Sequence, residues 1–273
     1  VKLIDAFMFF DELDLLEIRL NEMSPIVDTF VIVESLERVG SAEKKPPILY
    51  QNWERFNPFT GKIRHILLQS LTPEFTGRDS GWLREYYQRN SLMGGILEVA
   101  APEDVVIISD CDEIPRAVTI KENLSKLITR TFRLKQEMFH YSINRYVDSW
   151  NKAVAGTVGE IQRLGGPESA RAIIPSSQQI ENAGWHFSYF GGAQQIREKV
   201  GSFSHSSDDI CTEFLSRSES QAAADIALGK DIFRRGGAPF IWRETTDPRL
   251  PSHFLNNLKR YEHFTEDFLK GQL

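Results

Sequence analysis

The first half of the chain alternates short apolar runs with helical periods. Leu3, Ile4, Ala6, Phe7, Met8, Phe9 and Phe10 form one such run and predict a buried strand. Leu13, Leu16, Leu20 and Met23 then recur at spacings of 3, 4 and 3, a helical seam with acidic residues at its N-terminal end. Phe30 to Val33 predict a second strand, ended by Glu34 and Ser35, and Ile63 to Leu68 a third. Residues 80–100 are helical in character, interrupted by Gly94-Gly95. Val105, Val106, Ile107 and Ile108 are a continuous β-branched run, the pattern of a parallel strand covered on both faces. Strands alternating with helices in this way predict an α/β fold with crossover connections. Its centre is a mixed, mostly parallel sheet flanked by helices.

The second half is less regular. Ile120, Leu124, Leu127 and Ile128 keep helical spacing, and residues 131–148 are rich in aromatic and β-branched types that supply strands. Gly156, Gly159, Gly165 and Gly166 suggest a long loop. A helix is expected over 212–229. No internal repeat and no clear linker interrupts the pattern. Residues 1–273 therefore read as one domain, with a regular first half, 1–116, and an irregular second half, 117–273.

Composition narrows the function. The chain has 273 residues, 41% hydrophobic and 26% charged, with a formal net charge of -6. No apolar run approaches the roughly 18–20 residues of a membrane span. An acidic balance without a Lys/Arg cluster argues against nucleic acid as a partner. Two cysteines, Cys111 and Cys211, suffice for neither a disulfide framework nor a four-thiolate zinc site. Cys111 is expected as a free thiol. No basic n-region or apolar h-region opens the chain, so no signal peptide is expected.

The most informative segment runs from Val105 through Ser109-Asp110-Cys111-Asp112-Glu113-Ile114-Pro115. A buried parallel strand leads straight into three carboxylates, and ligands of open α/β sheets bind beyond the carboxyl ends of strands. If the extended backbone persists, Asp110 and Asp112 point to the same side. Two adjacent carboxylates repel unless a proton or a cation intervenes. Oxygen-only donors favour Mg²⁺ or Mn²⁺, which bridge to substrate phosphates. The bland alternative is a strand ending in a solvated acidic turn.

These residues resemble glycosyltransferase family 17, and the resemblance extends along most of the chain. It includes Asp5-Ala6-Phe7, Glu12 to Leu16, Arg19-Leu20, Val31-Ile32-Val33-Glu34-Ser35, Ile63-Arg64-His65 and Gly81-Trp82, with Arg89 downstream. Its strongest stretches are Asp104 to Pro115 and Ala183-Gly184-Trp185-His186-Phe187-Ser188, followed by Lys199. Residues 36–50 depart from the family pattern, and little aligns over 150–180, a region assigned to acceptor choice. The resemblance implies a GT-A-type fold, a nucleotide-sugar donor (UDP-N-acetylglucosamine above others), a glycan acceptor, Mn²⁺ or Mg²⁺, and inversion at the anomeric carbon, with 1–116 as the nucleotide-sugar and metal-binding half and 117–273 as the acceptor-side half.

In that reading Asp112, with Asp110 directly or through water, holds the metal against the donor diphosphate, and His205 is a third ligand. The base that deprotonates the acceptor is left open among Glu113, Asp208, Asp209 and Glu181. Glu34 would contact the nucleotide base or ribose, or else be a turn acid. Arg89 and Lys199 would pair with phosphates, or either would make a structural ion pair. Trp82 and Trp185 would stack on sugar or nucleobase faces, with core packing as the alternative. His186 would line the site or sit satisfied in the core. Two other readings stand beside this one: a non-catalytic carbohydrate-binding domain, and a metal-dependent phosphohydrolase with an aspartate nucleophile. For compartment, a microbial cytoplasmic setting is preferred over a Golgi lumen with the N-terminal anchor removed.

Overall fold

The computed structural model describes residues 1–71, 81–202, 208–233 and 240–271. Twelve strands build two sheets among these residues. In chain order they are β1 (Leu3–Phe9), β2 (Thr29–Ser35), β3 (Ile63–Leu68), β4 (Val105–Asp110), β5 (Glu113–Pro115), β6 (Phe132–Leu134), β7 (Gln136–His140), β8 (Arg145–Trp150), β9 (Val154–Thr157), β10 (Gln179–Ile180), β11 (Gly184–Ser188) and β12 (Ile241–Trp242). The larger sheet has the order β10-β6-β9-β4-β1-β2-β3, and the smaller the order β12-β8-β7-β11-β5.

β4, β1, β2 and β3 pair in parallel, and β9 runs antiparallel beside β4. The apolar runs are continuous because each face of this sheet has its own core. Alternation sends Phe7, Phe9, Phe30, Ile32, Val105 and Ile107 into one core. Ile4, Ala6, Val31, Val33, Val106 and Ile108 enter the other. Burying each large side chain of this kind contributes roughly 1.5–3 kcal/mol. The expected α/β class with a mostly parallel central sheet is what the chain forms.

The first helix, Leu13–Met23, buries Leu16, Leu20 and Met23 against the first core, as their spacing predicts. It also buries Leu15 and Ile18 in a third core behind the smaller sheet. Residues 80–100 form two helices, Gly81–Asn90 and Leu92–Val99, parted at Ser91. The helix expected over 212–229 is likewise two, Asp209–Ser216 and Glu219–Ala227, because Ser218 forms a capping box with Gln221.

Two expectations for the second half need correction. The glycine-rich stretch is no long loop: it holds β9 and the helices Val158–Arg163 and Pro167–Ile173. Gly165 and Gly166 take φ of 95° and 99° where those helices meet, a conformation open to glycine. The C-terminal half is also more regular than its sequence, since it supplies most of the smaller sheet. Both sheets draw strands from either side of residue 116, so that boundary does not divide the architecture. One glycine sets the position of β11. At Gly184, with φ of 142°, a Cβ would lie 2.0 Å from the Ile114 carbonyl oxygen, so only glycine lets β11 pair with β5 there.

A cavity lined by fixed charges

A cavity of about 1010 Å³ opens beyond the carboxyl ends of β1, β2 and β4, reached by Phe10, Ser35 and the acids after Ser109. One face of the smaller sheet is its floor, with Met138 and His140 from β7, His186 and Ser188 from β11, and Asp148 and Trp150 from β8. The helix Gly81–Asn90 adds Glu85, Gln88 and Arg89, and the helix Gly192–Gly201 adds Lys199.

The extended backbone does not persist through the acid segment. β4 ends at Asp110, Cys111 and Asp112 make a turn, and β5 begins at Glu113. Each acid consequently meets its own cations. Asp110 accepts from Arg89 at 3.1 Å and from Arg171 at 3.1 Å. Asp112 accepts from Lys199 at 2.7 Å, and its other oxygen lies 3.7 Å from Nε2 of His186. Glu113 is fully buried and takes Arg171 at 2.6 and 3.0 Å, the amide of Asp110 at 2.8 Å and the indole N–H of Trp150. Burial pushes the Asp110 carboxyl up, but Arg171 and Arg89 outweigh it and hold the group below its usual range. Lys199 and His186 do the same for Asp112, more strongly. Burial also pulls against the Lys199 ammonium, yet Asp112 and Glu12, the latter at 3.1 Å, raise it well above its ordinary value.

Behind this wall lies Arg19, fully buried on the first helix. It grips Asp5 with two bonds, at 2.6 and 2.9 Å, and donates to the Ser109 hydroxyl at 2.6 Å. It also donates to the carbonyls of Asp110, Cys111 and Glu113, at 2.6, 3.4 and 3.2 Å. One guanidinium thus fixes the backbone of the whole acid turn. Cys111 is a free, buried thiol that burial and nearby Glu12 push well above its ordinary value.

Of the residues singled out from sequence, Arg89, Asp110, Asp112, His186 and Lys199 meet on the cavity wall. The others stand elsewhere. Glu113, first named as a base, is an anchor with both oxygens engaged and no place on that wall. Asp208 and Asp209 are exposed at the start of the helix Asp209–Ser216, and Glu181 is an exposed partner of Lys135 at 3.1 Å. None of the three borders the cavity. Glu34 is buried beneath the wall, bonded to Lys45 at 3.1 Å and to the amide of Leu49 at 3.3 Å, so it holds the Lys45 ammonium rather than facing the cavity itself. Trp185 is a core residue, its indole donating to the Arg249 carbonyl at 3.0 Å with Arg116 over its ring. Trp82 is exposed on its helix, away from the cavity wall. His205 lies outside the described residues.

Sequence reasoning missed Arg171, Trp150 and Asp11. Arg171 carries no local signal, because its partners lie 58 and 61 positions away. Residues 150–180 contribute Trp150 to the cavity wall and otherwise buttress the acid turn. Asp11 lies two residues past the end of β1, and burial and the charge of Glu12 raise its carboxyl to about 7. The folded chain therefore binds this proton more tightly than the unfolded one, and stability falls as pH rises from 3.8 towards about 7. An Asp11→Asn chain is expected to melt higher than wild type at pH 8, with a smaller gain at pH 5. Thermal melts at the two pH values check this.

A divalent ion fits part of this arrangement. Asp110 does not fit as a ligand, since buried Arg89 and Arg171 already occupy both its oxygens. Asp112 does fit: the 3.7 Å between its free oxygen and His186 leaves an opening on the cavity side. Among the described residues no group of three or more His, Cys, Asp and Glu side chains is arranged to enclose a metal. Any ion here would draw most of its ligands from phosphate and water, as Mg²⁺ sites usually do.

The chain matches glycosyltransferase family 17 over residues 1–262. It belongs to that family. Its curated relatives include the β-1,4-mannosyl-glycoprotein 4-β-N-acetylglucosaminyltransferases of Homo sapiens, 26% identical, and Rattus norvegicus, 25% identical, each over 97% of this chain. The chain spans only 55% of the length of these relatives. Among solved structures it resembles the 2-C-methyl-D-erythritol 4-phosphate cytidylyltransferase of Francisella tularensis, at 9% identity and a TM-score of 0.38 over 73% of this chain and 98% of that one. The 4-diphosphocytidyl-2C-methyl-D-erythritol synthase of Anaerococcus prevotii gives 12% and 0.36 over 69% and 87%. Among the described residues of this family 17 chain, no helix is long and apolar enough to cross a membrane.

Proposed function

We propose that the cavity binds a UDP-sugar, UDP-N-acetylglucosamine first among them, and that the chain transfers the sugar with inversion to a glycan hydroxyl. The observation that carries this reading is the pair of fixed cations, Arg89 and Lys199, beside Asp112 at the strand ends. Family membership and the names of the relatives support the donor. The mostly parallel sheet, with its cavity past the strand termini, supports a GT-A-type architecture.

Lys199 offers a point charge to a diphosphate, and Arg89, its terminal nitrogens held by Glu85, Asp110 and Glu168, adds positive charge beside it. Both are already held by carboxylates, so they need no reorganisation as negative charge builds on the departing nucleotide. Asp112 would hold Mn²⁺ or Mg²⁺ at its free oxygen. Such an ion, when bound, neutralises leaving-group charge and orients the donor. Arg19 keeps the acid turn in register. Asp110 and Glu113 serve the scaffold in this scheme.

Calorimetry of UDP-N-acetylglucosamine with and without Mn²⁺, on the wild-type chain and on Asp112→Ala, tests the proposal. Metal-dependent binding is expected from the first and none from the second. Binding by Asp112→Ala equal to wild type and indifferent to metal would sink the assignment. Glycan binding without nucleotide or metal, and no binding of UDP-sugars, would favour a non-catalytic carbohydrate-binding domain.

A further inference from the structure

An inverting transfer needs one carboxylate with open lone pairs, facing the sugar and set apart from the diphosphate cations. Most acids on the cavity wall fail this requirement. Glu12 and Asp112 share Lys199, and Glu85 and Asp110 share Arg89. Glu37 is taken by Lys44 at 2.8 Å and by the amide of Leu71 at 2.6 Å. Asp231 accepts the amide of Phe233 at 3.1 Å and has a further contact. Asp148 differs. Among the described residues it forms no ion pair, and its single bond is Oδ1 accepting the amide of its neighbour Ser149 at 2.7 Å. It is exposed and borders the cavity.

The register of the smaller sheet fixes where it stands. Glu113 pairs with His186, His186 with Met138, and Met138 with Asp148, so these four residues form one row across the sheet, and the last three of them border the cavity. The pairing of β7 with β8 slips between Met138 and Phe139, which leaves Val147 without a partner. Such bulges re-aim side chains beside functional sites, and this one keeps Asp148 and Trp150 on the floor. Two strand spacings separate His186 from Asp148, roughly 10 Å. His186 itself is 3.7 Å from Asp112. Asp148 therefore stands across the floor from the Asp112–Lys199 end, with Met138 between.

We infer that Asp148 is the catalytic base of the transfer, an inference that rests on the nucleotide-sugar reading above. The acceptor hydroxyl donates to Oδ2, the oxygen that Ser149 leaves open. As the acceptor oxygen bonds to the anomeric carbon, its proton passes to Asp148. The bond from that carbon to the diphosphate oxygen breaks, and its electron pair leaves with the nucleotide. The carboxylate ends neutral and the nucleotide gains one negative charge.

UDP-N-acetylglucosamine turnover, read as UDP released with water as acceptor, tests the inference without an identified glycan. Asp148→Asn is isosteric and its melt is expected to match wild type. It should bind the donor within about threefold of wild type by calorimetry, while UDP release falls about 10²–10⁴-fold. Its rate should also lose the acid limb of the pH profile. Azide needs no deprotonation, so Asp148→Ala with added azide should form glycosyl azide at a rate approaching wild type. UDP release by Asp148→Asn within threefold of wild type would overturn the inference, as would loss of donor binding together with turnover. A wild-type chain that binds no UDP-sugar would instead remove the nucleotide-sugar reading, and the base with it.

Discussion

An Arg19→Ala chain is expected to lose about 3–5 kcal/mol of stability, the usual effect of removing one partner from a buried ion pair. Arg19 and Asp5 both have fully buried side chains. Truncation leaves the Asp5 carboxylate in the core, and it also strips donors from Ser109 and three carbonyls of the acid turn. Urea unfolding measures the loss as a shift in midpoint. A double variant, Asp5→Leu with Arg19→Met, separates the two roles. Replacing a buried pair by apolar groups is often neutral, so much of the stability should return. The turn would still lack its donor, so UDP-sugar binding should not return. A double variant that binds donor like wild type would show that the turn holds its shape without the guanidinium.

Asp5 and Arg19 also show how far the sequence can be read. Both fall in stretches that resemble the family, yet nothing local gives them a role, because the bond joins the first strand to the first helix and reaches 90 residues on to Ser109. The central strands were legible for a physical reason: each is buried on both faces, so apolar residues run without alternation. The smaller sheet was legible only in part: residues 131–148, rich in aromatic and β-branched types, hold β7 and most of β8. β5 and β12 have three and two residues, too short to display a period, and their pairing joins distant segments. The acid segment announced the site, but a period of two placed Asp110 and Asp112 side by side. The turn at Cys111-Asp112 sends them to different cations instead. Trp185 and His186 are neighbours in one motif, and the strand's alternation puts the first in the core and the second on the cavity floor.

Arg171→Leu should produce the other large effect, again about 3–5 kcal/mol by urea unfolding. The argument turns on what Arg171 alone can do. Its helix, Pro167–Ile173, supplies two charges behind the wall: Glu168 pairs with Arg89, and Arg171 spans Asp110 and Glu113. Arg89 can compensate Asp110 without it, but Glu113 has no other cation among the described residues, only the Trp150 indole and the Asp110 amide. Most of the loss should therefore belong to Glu113 rather than to Asp110. Glu113→Gln removes that charge and keeps the shape, so the double variant should cost less than the sum of the two single changes, by about 0.5–3 kcal/mol. Asp110→Asn in the same background should couple more weakly, because Arg89 still faces that position. Equal coupling at both acids would mean that the two guanidiniums neutralise the acid turn as one charge. In that case Asp110 would be no better anchored than Asp112, and the metal assignment to Asp112 alone would lose its basis.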